Sequence, residues 1–342
     1  MSHSHHILIV GVGSIGERHL HCFQSTGRAD VSFVEINDTL RATISERYGV
    51  RGFADIESAI TEQSSAGEQI TAAVVATPAN RHLEIATRLA EAGIHLLIEK
   101  PLSTTIEGAD RLAGVISRRN LVVGVAYVMR CFPALAAMRD ALRSGRFGKP
   151  VEIVAVCGQH FPTYRPAYRD TYYVDRETGG GAIQDALTHV LNAGEWLVGS
   201  INRLVADAAH CVLEGVTVED TAHVLTRQGE VLGSYSLNQH QAPNETTITV
   251  ICDGGTVRWE SHANRWRWML RPSEAWHDES FVAQPRDASF IAQANLFLDV
   301  VEGRRSPLCS LEEGLQTLRV NLAALTSVDG GGWQQIKGLA NK

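Results

Sequence analysis

From Ile7 to about Val125, short runs rich in β-branched residues alternate with longer stretches whose apolar residues recur at three- and four-residue spacing. The short runs are Ile7–Val10, Val31–Glu35, Ala72–Ala76, His95–Ile98 and Leu121–Val125, apolar almost throughout, as strands covered on both faces must be. Between them Ile15–Thr26, Thr39–Tyr48, Asn80–Ala92 and Ile106–Arg118 carry the apolar stripe of helices packed on a sheet. The alternation predicts an α/β half with a doubly wound parallel sheet. A helix over Pro133–Leu142, with proline in its first turn and Gly145 and Gly148 marking its end, then leads the chain away.

Beyond that helix the texture changes. Val151–His160, Arg203–His210, Asp220–Thr226, Val231–Asn238, Thr246–Cys252 and Thr256–Glu260 read as strands, several joined by short turns such as Arg227-Gln228-Gly229-Glu230 and Asp253-Gly254-Gly255. Helices over about Ala182–Leu197, Ser289–Glu302 and Leu311–Leu325 complete a mostly antiparallel α+β half. The alternation Arg265-Trp266-Arg267-Trp268 reads as a half-exposed edge strand, and Gly330–Gly332 as the start of a loose tail. Two domains are predicted, residues 1–128 and 129–342, which agrees with a 342-residue chain exceeding what one core usually supports.

Composition narrows the partners. With 44% hydrophobic and 20% charged residues the chain is an ordinary globular sequence. A net charge of -7 and no run of Lys and Arg argue against a nucleic-acid partner. The six cysteines are scattered singly, as in a reduced cytoplasmic protein, and no apolar stretch is long enough to cross a membrane. The histidines of the opening Met1–His6 segment are not read as a metal site, and no metal is expected elsewhere.

Gly11-Val12-Gly13-Ser14-Ile15-Gly16 places a G-x-G-x-x-G pattern directly after a predicted strand and at the start of a predicted helix. That context suits a dinucleotide pyrophosphate: the glycines allow a tight turn and close approach, and the helix start offers N–H groups. Glu35 ends the next strand, about 20 residues past the last glycine, where a carboxylate can accept from both adenosine ribose hydroxyls. It also repels a 2′-phosphate, and no basic residue follows it immediately, so NAD is favoured over NADP.

Glu99-Lys100-Pro101 follows the strand His95–Ile98, at the sheet edge where open α/β folds bind ligands. Downstream, Gly179-Gly180-Gly181 opens a helix on which Asp185 and His189 stand four apart, hence on one face. Just before it, the loop 159–173 concentrates Tyr164, Arg165 and Tyr168 with further aromatic and basic residues, suited either to closing over a sugar or to packing a subunit interface.

These signatures in this order, with Ala76-Thr77-Pro78-Ala79-Asn80-Arg81-His82 and Tyr127-Val128-Met129-Arg130, resemble the glucose–fructose oxidoreductase, inositol dehydrogenase and MocA family over nearly the whole chain. The resemblance implies a Rossmann half, and a second half whose open sheet face forms homodimers or homotetramers. It also implies a substrate cleft between the halves, and a Lys, Asp and His acting on a carbohydrate hydroxyl or carbonyl. On matching positions these are Lys100, Asp185 and His189. Thr77, Pro78, Asn80, His82, Glu99 and Lys100 then line the cofactor, and Tyr127 and Lys100 the substrate. Imidazole suits the base that removes the hydroxyl proton, and the ammonium of Lys100 suits the charge developing on the oxygen. The expected activity is hydride transfer from a sugar, cyclitol or sugar derivative to NAD. A keto-sugar reductase and a non-catalytic NAD-binding regulator are the alternatives. Ala126 and the Ala-Leu-Thr spacer after Asp185 depart from the family's glycine-containing pattern without removing a functional group.

Overall fold

The computed structural model describes residues 5–65, 67 and 69–336. The chain divides into two compact units. The first comprises the residues up to Val128 together with Gln284–Glu313, and the second Met129–Ala283 together with the chain from Gly314 on. A single division at residue 128 is therefore corrected: the chain returns to its first unit for one helix and a loop.

In the first unit β1 (His5–Val10), β2 (Ala29–Val34), β3 (Gly52–Phe53), β4 (Ala72–Val75), β5 (His95–Ile98) and β6 (Val123–Val125) form one sheet in the order β3-β2-β1-β4-β5-β6. Every neighbouring pair is parallel. The order reverses between β1 and β4, so a crevice opens at their carboxyl ends, the usual ligand position of a doubly wound sheet. β4 is buried along its length because helices cover both faces. The short β3 and the helix Ile56–Ser65 were not expected from the sequence. The helix Ala288–Val301 packs on Ser14–Ser25, with Phe297 edge-on to Phe23 at 6.4 Å and Ala294 and Leu298 buried in the same core.

The second unit is built on a nine-stranded sheet. Its strands are β7 (Pro150–Gly158), β8 (Arg203–Ala209), β9 (Thr221–Gln228), β10 (Val231–Asn238), β11 (Glu245–Cys252), β12 (Gly255–Glu260), β13 (Arg265–Met269), β14 (His277–Ser280) and β15 (Gln334–Gln335), ordered β14-β13-β12-β11-β7-β10-β9-β8-β15. All pairs are antiparallel except β7 with β10. Burial alternates along β9 and β10: Ala222, Val224, Tyr235 and Leu237 enter a core shared with Ile183, Leu187, Leu191 and Met138 from the helices. The opposite face stays open. Two expectations are corrected here. Arg265–Met269 pairs on both sides, with Trp266 buried and stacked on Trp268, so it is not the edge strand. Gly331 and Gly332 lead not into a loose tail but into β15, which pairs with β8; residues 337–342 lie outside the described residues.

Candidate active site

In the first unit the glycine turn joins β1 to the helix Ser14–Ser25. Gly11 adopts φ +84°, and a Cβ on Gly16 would lie 1.9 Å from the Gly11 carbonyl oxygen, so strand and helix meet more closely than any side chain permits. By contrast nothing lies within 4 Å of the Cβ position of Gly13, which leaves room for a ligand there. The helix start has no side-chain cap, so its first-turn N–H groups, including those of Ser14 and Ile15, suit an anion.

Glu35 follows β2, and its carboxylate accepts from the Val12 backbone N–H at 3.2 Å and from that of Asn37 at 3.0 Å. It is thereby held beside the glycine turn. Arg41 donates to the Glu35 carbonyl at 2.7 Å and to Asp38, so its guanidinium is committed locally.

Past β4, the Thr77 hydroxyl oxygen is buried without a hydrogen-bond partner, although the residue lies at the carboxyl edge of the sheet. An unsatisfied buried hydroxyl is costly, and a bound polar group would satisfy it. Pro78 and Asn80 are exposed beside it, in and before the turn Ala79–Arg81. His82 is placed differently from the sequence expectation of a direct cofactor contact: it is buried, with Nδ1 3.0 Å from the Pro101 carbonyl oxygen and Nε2 2.7 Å from that of Thr77. Burial pulls its imidazole below the ordinary value of 6.5. Packed between these two carbonyls, the ring, whose neutral form has one N–H, donates to one of them and fills the space between the Thr77 turn and Pro101.

Glu99, at the end of β5, is buried, and its two oxygens meet His19 Nε2 at 2.7 Å and the Lys100 N–H at 2.9 Å. Burial pushes this carboxyl up, but the His19 hydrogen bond and the charges of His19 and Lys100 outweigh it and hold it below the usual value. Glu99 thus braces the loop that presents the half-buried Lys100. A carboxyl with a depressed folded pKa adds stability that is full above its ordinary value, 4.5, and is lost as pH falls through the folded value. Glu99→Gln is therefore expected to lower Tm at pH 7 and to flatten the acid limb of Tm against pH; a limb identical to wild type would show that Glu99 does not carry that dependence. Tyr127, just past β6, is buried.

In the second unit the helix opened by Gly181 is not uniform: Ile183–Leu187 is a π-helical turn and Thr188–Val198 is α-helical. Such turns are rare and concentrate at functional sites. Asp185, in the π turn, is buried, and His189, one turn on, is half-buried. Behind them a buried polar network locks the helix. Arg130 Nε donates to Asn192 at 2.9 Å, Asn192 donates to the Thr317 hydroxyl at 2.9 Å, and that hydroxyl donates to Glu195 at 2.7 Å. Gln316 and the Ile201 N–H also donate to Glu195, whose carboxyl burial pushes up, and Asn321 donates to Thr188. The Tyr127–Arg130 segment therefore has a structural role, in that its arginine reaches the helix carrying His189.

Of the loop residues expected at the substrate, Tyr164 and Arg165 are exposed. Tyr168 is corrected: it is 3% exposed in a satellite core with Phe161, Tyr173 and Leu213, and its hydroxyl donates to the Glu214 carbonyl at 2.7 Å. The tyrosine that meets the Asp185 carboxylate is Tyr172, whose hydroxyl donates to Oδ1 at 2.7 Å. Composition of the loop alone does not separate the packing tyrosines from this one.

Among the described residues one trio, His21, Cys22 and Asp287, brings ligand-type atoms within 4.8 Å of one another. Arg18 already lies 3.1 Å from Asp287, and burial pushes the Cys22 thiol up to about 12, so the trio reads as a helix contact. No helix among the described residues is long and apolar enough to cross a membrane.

Two family models match the chain. Residues 5–127 match the oxidoreductase family with an NAD-binding Rossmann fold, and residues 135–258 the GFO/IDH/MocA C-terminal domain. The rhizopine catabolism protein MocA of Rhizobium meliloti is 29% identical over 196 residues, covering 56% of each chain. The UDP-N-acetylglucosamine 3-dehydrogenase of Acidithiobacillus ferrooxidans is 26% identical over 192 residues, 56% of this chain and 54% of that one. The chain thus spans about half the length of the curated relatives it matches. A levoglucosan dehydrogenase solved in complex with NADH superposes with a TM-score of 0.87 at 20% identity, over 98% of this chain and 100% of that one, which establishes the same fold. Since the two models together account for most of the sequence and match its two halves in order, the chain belongs to the GFO/IDH/MocA oxidoreductase family.

Proposed function

We propose that this protein is an NAD-dependent oxidoreductase that transfers hydride between a secondary hydroxyl-bearing carbon of a sugar, cyclitol or sugar derivative and the nicotinamide ring. The observation that carries the reading lies in the first unit: a glycine cradle, a carboxylate pinned beside it and an unsatisfied Thr77 hydroxyl share the sheet edge with Lys100. The residues present fit a dinucleotide. The Gly11–Gly16 turn would hold its pyrophosphate, Glu35 its adenosine ribose, and Thr77 and Pro78 the neighbouring part of the chain. When bound, the cofactor supplies the hydride acceptor.

The protein's own side chains handle the proton. His189 takes it from the reacting hydroxyl, Lys100 hydrogen-bonds that oxygen and stabilises the charge it develops, and Asp185 orients the substrate or His189. In the reverse direction, reduction of a keto-sugar, the same groups return the proton. The Glu35 carboxylate and the committed Arg41 favour NAD over NADP, since neither offers a cation to a 2′-phosphate. The open sheet face of the second unit exposes Val156, Leu225 and Leu232, which supports association of copies through that face.

The test is NADH formation across cyclitols, aldoses, uronic acids and amino sugars, with NAD and NADP in parallel. Turnover of a polyol supports the reading, whereas a tight NAD complex inert to the whole panel and to NADH-driven reduction of keto-sugars removes it. Glu35→Ala is expected to weaken NAD binding by about 10²-fold and NADP binding much less, two charge-assisted hydrogen bonds being lost only with the free ribose. Equal losses for both cofactors would overturn the ribose assignment.

A further inference from the structure

We propose that Tyr172 and Asp185 act as one recognition pair that selects substrates carrying a hydrogen-bond donor, a hydroxyl or an amino group, beside the carbon that reacts. The inference rests on the dehydrogenase reading and deepens it. Tyr172 is 39% exposed, yet its phenol is not adrift: it donates to Asp185 Oδ1 at 2.7 Å. Its backbone is held as well. The Thr178 hydroxyl donates to the Tyr172 carbonyl at 2.7 Å, the Asp175 N–H does so at 3.3 Å, and the next residue, Tyr173, is buried against Phe161 at a ring separation of 4.7 Å. Tyr173 also donates to Gln239, which pins the segment from below. The side chain therefore stands on a fixed base while remaining partly open to solvent.

The selectivity follows from counting protons. An ionised carboxylate only accepts hydrogen bonds, and a phenol whose single proton is spent on that carboxylate can only accept from anything else. The pair accordingly presents an acceptor-only surface carrying negative charge. A hydroxyl or amine complements it by donating. A keto oxygen, a methoxy group, a fluorine or a C–H has no proton to give it. The Asp185 carboxylate is buried, and a buried polar group built to bind a hydroxyl discriminates strongly against analogues that lack it, because its own solvation is not restored.

The experiment compares wild type and Tyr172→Phe on one accepted polyol and on its deoxy, fluoro and O-methyl analogues at the carbon adjacent to the reacting one. Wild type is expected to prefer the hydroxyl over the fluoro analogue by roughly 10²-fold in kcat/KM, and Tyr172→Phe to cut that preference about tenfold, with the loss falling on KM more than on kcat. In the double variant Tyr172→Phe/Asp185→Asn, the preference is expected to fall no further than in Asp185→Asn alone, as for residues that act as a unit. NAD affinity and Tm measured on each variant report folding. If Tyr172→Phe keeps the full preference, or loses rate equally on every analogue, the pair is overturned while the dehydrogenase reading stands. If wild type turns over no polyol although it binds NAD, both fall.

Discussion

His189→Ala is expected to lower turnover by roughly 10²–10⁴ while leaving NAD affinity within about twofold of wild type. Oxidising a secondary alcohol needs the hydroxyl proton removed as hydride departs, and without a base that proton must go to water. The loss should fall on kcat, since the imidazole does its work as the bond breaks rather than as substrate docks. Affinity for NAD should hold because the glycine turn, Glu35 and Thr77 all sit on the first unit, whereas His189 belongs to the second. The helix itself should survive, since Asn192, Glu195 and Thr188 fix its buried side independently of residue 189. Initial rates of NADH formation, with NAD binding followed by fluorescence titration, separate the two quantities. Near wild-type turnover would place the base elsewhere, and a parallel fall in NAD affinity would mean that His189 acts by holding cofactor rather than by moving a proton.

The second large effect is expected from one added methyl group. In Gly16→Ala the new Cβ would sit 1.9 Å from the Gly11 carbonyl oxygen and 3.4 Å from the Ala76 Cβ. The blocking atom is backbone, so no rotamer change relieves it; the helix Ser14–Ser25 must move away from β1. Overpacking of this kind costs about 3 kcal/mol, the upper part of its usual range. Displacing the helix start also moves the N–H groups offered to the pyrophosphate, so NAD affinity should fall by roughly 10²-fold. Thermal unfolding and NAD titration check both. Gly13→Ala is the internal control: nothing lies within 4 Å of its Cβ position, so it should leave Tm nearly unchanged and weaken only NAD binding. Equal destabilisation by the two substitutions would show that turn flexibility, not close packing, makes Gly16 necessary.

The sequence pattern was most legible where burial is continuous, as along His95–Ile98, or strictly alternating, as along Val231–Asn238, and both strands have the expected bounds. The strand and helix around the glycine turn lie within two residues of theirs. What escaped had weak or ambiguous signals. Gly52–Phe53 is too short for any periodicity, and Ile56–Ser65 buries little beyond Ile56 and Ala59 among its apolar residues. The parallel pairing of β7 with β10 leaves no mark, because alternation along a strand records which side is covered and not the direction of its neighbour. Tyrosine-rich composition marked the loop 159–173, but which tyrosine packs and which reaches Asp185 depends on tertiary contacts. The π turn at Asp185 was likewise invisible, since a helix with one widened turn keeps nearly the same apolar spacing.

The return of Gln284–Glu313 to the first unit bears on how the protein is made. A ribosome that has just released Val128 has delivered every strand of the parallel sheet, but not the helix Ala288–Val301 that covers Phe23 and completes that core. Roughly 10–40 s more of synthesis, at about 5–20 residues per second, must pass before the missing helix emerges. Until then the nucleotide-binding half carries an uncovered apolar flank, and the second unit is synthesised during the wait. The same topology means that a gene fragment stopping at Val128 encodes all the cofactor contacts proposed above without the helix that covers their core. Grafting residues 284–313 onto such a fragment would be the shortest route to an independently folding dinucleotide-binding half.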